Sequence, residues 1–114
     1  MQATLAPAET RDLRALVAEM IPASAIYNVP GADDDVIFAD ILNSLERDTD
    51  DARAALKQLA GLSGGAFADL PADRRTEIAT ALKTQGGAAL FALNRVVLLC
   101  YYRDDRVMRS LGQE

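Results

Sequence analysis

Three stretches hold residue types that could do chemistry: the run Asp33-Asp34-Asp35, the cluster Arg103-Asp104-Asp105-Arg106, and the lone Cys100. The aspartate run suggests calcium at first sight. An EF-hand loop needs oxygen ligands at alternating positions, glycine at the sixth and glutamate at the twelfth. Counted from Asp33, the third position is Asp35, but the fifth and sixth are Ile37 and Phe38, so the pattern fails. Capping of a helix start by Asp33 or Asp34 is the better reading, because a free N–H and a positive helix end both favour a carboxylate. The second cluster offers two readings. It could hold a substrate or pair across an interface, or it could be a solvated charged turn. Carboxylates can do acid–base work in pairs, as in glycosidases, but nothing in the sequence fixes Asp104 and Asp105 in a pocket.

The chain contains no histidine, which removes the commonest general base, the usual catalytic triads and the main metal ligand. One cysteine excludes a structural zinc site and an internal disulfide. Cys100 lies in an apolar run, where a buried, inert thiol is expected. No phosphate-binding glycine motif occurs. The pairs Gly64-Gly65 and Gly86-Gly87 fall where helices should end. These absences argue against an independent enzyme.

The elements that must position these residues read as helices throughout. With 114 residues the chain suits one domain, 1–114, with a single core. Half of it is hydrophobic and a quarter charged, with a net charge of −5 and no basic patch, so no nucleic-acid partner is expected. No run alternates at period two, and alanine and leucine are abundant. A first helix starts near Pro7, with Glu9 at its positive end and Leu13, Leu16, Val17 and Met20 on one stripe. Pro22 stops it, and "IPASAIYNVPGADDD" follows as a structured loop that packs down through Ile26, Tyr27 and Val29. A second helix places Ile37, Phe38, Ile41, Leu42 and Leu45 inward. A third, capped by Thr49 or Asp50, places Ala52, Ala55, Leu56 and Leu59 inward. A fourth begins near Pro71 with Ile78 and Leu82 inside. A fifth runs from Ala88 to about Tyr102, and "DDRVMRSLG" adds a short last one with Val107, Met108 and Leu111 inside. The expected fold is all-α, a compact single-domain bundle of five to six short helices.

The fifth helix is apolar nearly all round. Leu90, Leu93, Val97 and Tyr101 share one side, Phe91, Leu98 and Tyr102 another, and Val96 and Leu99 a third; only Asn94 and Arg95 mark a polar edge. Such a helix is either central to its bundle or shared with a partner. Its tyrosines lean toward a partner, since they join apolar area to a polar tip. The run falls short of the roughly 20 residues a membrane span requires, so no direct span is expected.

Read in order, "LRALVAEMIPAS", "VPGADDDVIFADIL" and "CYYRDDRVMRSLG" resemble the gluconate 2-dehydrogenase subunit 3 family, the small gamma-type subunits of FAD-dependent sugar and alcohol dehydrogenases. That family shows a helix ending in "IIP", a loop, a helix opening near an acidic residue, a "YY-x-D" element and a terminal "LG". The matching positions are Met20-Ile21-Pro22, Asp33 to Asp35, Tyr101-Tyr102-Arg103-Asp104 and Leu111-Gly112. The middle of the chain is generic helix. The resemblance implies a non-catalytic subunit that binds a large flavoprotein of the glucose–methanol–choline type and supports its maturation. FAD belongs to that partner, and no cofactor is expected on this chain. The partner-binding candidates are Pro22, Tyr27, Pro30, Tyr101, Tyr102, Arg103 and Asp104, with an exposed apolar patch around the tyrosines and the loop from Pro22 to Pro30. The chain departs from the family in showing no twin-arginine leader: Arg11 and Arg14 are not adjacent, and Arg74-Arg75 lies mid-chain. A cytoplasmic location is expected for the chain as it stands, and a periplasmic one if such a leader has been removed. The alternatives are a stand-alone helical binding module or homodimer using the same helix, and a small enzyme using the Asp104–Asp105 region.

Overall fold

Helix starts fall at prolines, aspartates and a glycine. The computed structural model describes residues 5–25, 28–45 and 48–110. Among them are six α-helices: α1 (Pro7–Met20), α2 (Asp35–Ser44), α3 (Thr49–Ser63), α4 (Ala72–Gln85), α5 (Ala88–Tyr102) and α6 (Asp105–Met108). A 3₁₀ turn, Phe67–Asp69, joins α3 to α4. There is no strand among the described residues; one antiparallel bridge, Ser24 to Val29, closes the loop between α1 and α2. The architecture is an all-α single-domain bundle.

Each start has a local cause. Pro7 opens α1, and the Glu9 carboxylate reaches back to accept from the Ala6 N–H at 2.7 Å. Asp34, not Asp33, caps α2 and accepts from the N–H groups of Val36 and Ile37. The cap position of α3 is Asp48, one residue earlier than expected and without a side-chain bond. Thr49 is already helical, and its hydroxyl donates back to the Leu45 carbonyl at 3.1 Å. Gly64 ends α3 with φ 71°, a left-handed conformation that suits glycine. Gly86 and Gly87, at φ 63° and 112°, end α4 and open α5 with no residue between them.

The core joins Leu13, Leu16 and Val17 of α1 to the inner stripes of α2, α3 and α4 and to one side of α5. α5 packs on α3 and α2, while α4 packs on α3 and α1. Phe67 is fully buried, although its segment carries no helical stripe. Leu42, expected inward, is more than a third exposed because it stands at the edge of the apolar arc centred on Ile37, Phe38 and Ile41. Met20 is half-buried rather than buried, and Met108, expected inward on α6, is exposed. Ile26, Tyr27, Leu111 and Gly112 lie outside the described residues.

Candidate interaction surface

The two sides of α5 have opposite environments. Leu93, Val96, Val97, Cys100 and Tyr101 face the core. Phe91, Leu98, Leu99 and Tyr102 are exposed, at 71%, 36%, 59% and 48%. At 100° per residue, these four and Arg95 fall within an arc of about 100° directly opposite the buried side. The helix is therefore not encircled: its inner half completes the bundle and its outer half is an apolar strip. The Phe91–Leu98–Tyr102 side read from spacing is that strip, with Leu99 joining it. Arg95 was the available signal, because Phe91, Leu98 and Leu99 lie three or four residues from it and Tyr102 lies seven residues on, two turns along the same face. Arg95 itself is exposed and has no ion-pair partner among the described residues.

Beside the strip lies a groove of about 600 Å³ between α1, α4 and α5. Leu16, Met20, Leu82 and Leu90 contribute apolar wall, and Phe91 stands at the edge shared with the strip. Glu19 and Lys83 are the ionisable lining residues, and the Thr76 hydroxyl donates to Glu19 at 3.0 Å. This chemistry suits an apolar side chain entering from outside, with polar contacts at the rim.

The expected site residues do not form one surface. Pro22 is exposed. Tyr101 is only 5% exposed; its ring is part of the core, and its hydroxyl donates to the Pro30 carbonyl at 2.9 Å. Burial pushes the Tyr101 phenol above its ordinary range. Of the exposed patch expected around Tyr101, Tyr102 and the loop from Pro22 to Pro30, Tyr101 is corrected to a core residue, and the exposed apolar side chains of α5 are Phe91, Leu98, Leu99 and Tyr102. Tyr102 does lie on that patch, with its ring edge-to-face on Tyr101 at a centroid distance of 5.4 Å. Tyr27 lies outside the described residues.

The charged cluster is engaged within the molecule. Arg103 forks onto Asp40, through Nε at 2.7 Å and Nη2 at 2.5 Å, and also donates to Ser44 Oγ at 2.9 Å. Asp104 is the N-cap of α6, accepting from the N–H groups of Arg106 and Val107. Arg106 then joins two helix starts. It pairs with Asp34, the cap of α2, at 2.7 and 3.1 Å, and with Asp104 at 3.0 and 3.1 Å. The Arg106 guanidinium is the main reason both carboxyls titrate below the ordinary aspartate range, with the capped N–H groups adding to it. Asp40 is lowered first by Arg103. Asp105 remains exposed. This arrangement fixes the loop after α5 against α2. Sequence spacing could not reveal it, because Arg106 and Asp34 are far apart in the chain.

Cys100 is a free thiol on the core side of α5, opposite the strip, and burial raises its pKa. Among the described residues, no group of acidic, cysteine or histidine side chains is placed to hold a metal ion, and no helix is long and apolar enough to cross a membrane. No family model matches the chain, and neither a curated protein nor a solved structure matches it.

Proposed function

We propose that this chain is a non-catalytic small subunit that binds a large FAD-dependent sugar or alcohol dehydrogenase and supports its maturation and stability. One structural observation carries the binding role: an apolar strip with aromatic residues is left on the outer side of α5, in a domain with enough helices to cover the inner side. Exposed apolar area of this kind is a mark of protein docking. The identity of the partner rests on the ordered resemblance of Met20-Ile21-Pro22, Asp33 to Asp35 and Tyr101-Tyr102-Arg103-Asp104 to the subunit 3 family. The engagement of Arg103, Asp104 and Arg106 in internal pairs supports a structural role for the tail that carries the last motif.

In this reading the oxidation and the FAD belong to the partner, and this chain contributes a rigid helical surface. The test is co-expression with a large FAD-dependent dehydrogenase from the same genome, with the tag on the small chain. A yellow complex of fixed stoichiometry is expected. A small chain that purifies alone, beside a flavoprotein fully active without it, contradicts the proposal.

A further inference from the structure

The outer side of α5 has a composition that narrows what can cover it. Phe91, Leu98, Leu99 and Tyr102 surround Arg95. Aromatic residues and arginine are the types enriched at the centres of protein interfaces. A partner that covers this strip removes Arg95 from water, and a buried guanidinium without a counter-charge is strongly unfavourable.

A second copy of this chain does not supply that counter-charge. Two-fold packing would bring the same strip against itself. Centred on the strip, it would set each Arg95 beside the other copy's Leu98 and bring two like charges into one contact. α5 contains no aspartate or glutamate to answer them. Each copy also carries a net charge of −5, which adds long-range repulsion. Charge complementarity therefore favours a different chain.

We propose that the outer side of α5 docks an amphipathic helix of the flavoprotein, whose apolar face lies along Phe91, Leu98, Leu99 and Tyr102 and which sets a carboxylate against Arg95. A side chain at one end of that helix enters the groove beside Phe91. The assignment rests on the proposed function for the identity of the partner; the choice of surface rests on the strip and on Arg95.

The test uses the co-expressed flavoprotein and four versions of the full chain: wild type, Phe91→Ser, Arg95→Gln and Arg95→Glu. Both positions are exposed, so all four are expected to keep wild-type helical circular dichroism and melting. Affinity is read by titrating purified flavoprotein, and the oligomeric state of each small chain alone by sedimentation at several concentrations. The wild type is expected to be a monomer that binds. Phe91→Ser should weaken binding by about tenfold or more, and Arg95→Glu should weaken it more than Arg95→Gln, since reversal sets two carboxylates together. If the wild type binds and the variants bind equally well, the surface is wrong and the proposed function stands. If the wild type does not bind the flavoprotein, both fall. If the wild type alone is a dimer that Phe91→Ser dissociates, a second copy covers the strip and the inference is overturned.

Discussion

The Tyr101 hydroxyl donates to the Pro30 carbonyl across 2.9 Å, joining residues 71 apart in the chain. The bond ties the end of α5 to the loop that leads into α2. It also turns Tyr101 inward while Tyr102 stays on the outer strip. The pair of adjacent tyrosines thus divides its work, one ring in the core and one at the surface.

Truncating the two rings should accordingly have different consequences. Tyr101→Phe removes one largely buried hydrogen bond and is expected to cost about 1 kcal/mol of stability. Tyr101→Ala empties part of the core and should cost about 3–5 kcal/mol. Tyr102→Ala should stay within about 0.5 kcal/mol of wild type. Urea unfolding followed by circular dichroism checks all three. Equal destabilisation by the two alanine variants would refute the division.

Asp34, Arg106 and Asp104 form one unit in which a single guanidinium holds the caps of α2 and α6. Asp34→Ala and Asp104→Ala should each cost about 1 kcal/mol through loss of the cap. A double-mutant cycle between Asp34→Ala and Arg106→Met is expected to show a favourable, salt-sensitive coupling between the two side chains. A coupling of zero would mean that Asp34 acts on its own helix start alone.

Acid should loosen the same unit. Asp34, Asp40 and Asp104 all have folded pKa values below their unfolded ones. Their contribution is fully present above the unfolded aspartate value of about 3.9 and is lost as pH falls through the lower folded values. Urea midpoints should therefore fall below about pH 4. In Asp34→Asn that decline should be shallower, with a lower plateau near neutral pH. An unchanged acid limb in the variant would mean that Asp34 does not contribute to the loss of stability in acid.

Gly31 is required by space. A Cβ there would lie 2.7 Å from the Ala23 nitrogen, 2.8 Å from Asp33 Oδ1 and 3.0 Å from the Ile21 oxygen. Two of these are backbone atoms and cannot swing aside. The Ala32 N–H also donates to Ile21 at 2.9 Å, which holds the two ends of the loop together. Gly31→Ala should cost about 1–3 kcal/mol, whereas Gly61→Ala, which meets nothing within 4 Å, should be neutral or stabilising. A melting comparison of the two variants checks this.

Much of the fold was legible because its punctuation is chemical. Pro7 and Pro71 mark helix starts, Gly64 and Gly86 mark ends, and α5 runs from Ala88 to Tyr102 as its apolar pattern predicts. The inner stripes of α1 and α3 follow from spacing, except at the half-buried Met20. Phe67 was not legible, since a three-residue turn is too short to show a period. The environment of Tyr101 and the role of Arg106 were hidden for another reason. Both depend on partners brought close only by the tertiary fold, Pro30 in one case and Asp34 in the other. On α5, spacing separates the sides of the helix, but which side is covered depends on where α2 and α3 pack.

The most direct measurement on the outer side of α5 is carbene footprinting of the small chain alone and in complex with the flavoprotein. The chain alone should label strongly at Phe91, Leu99 and Tyr102, with Tyr101 and Val97 protected in both states. In the complex labelling should fall at Phe91, Leu98, Leu99 and Tyr102 together. Labelling there that is unchanged by the flavoprotein would contradict it.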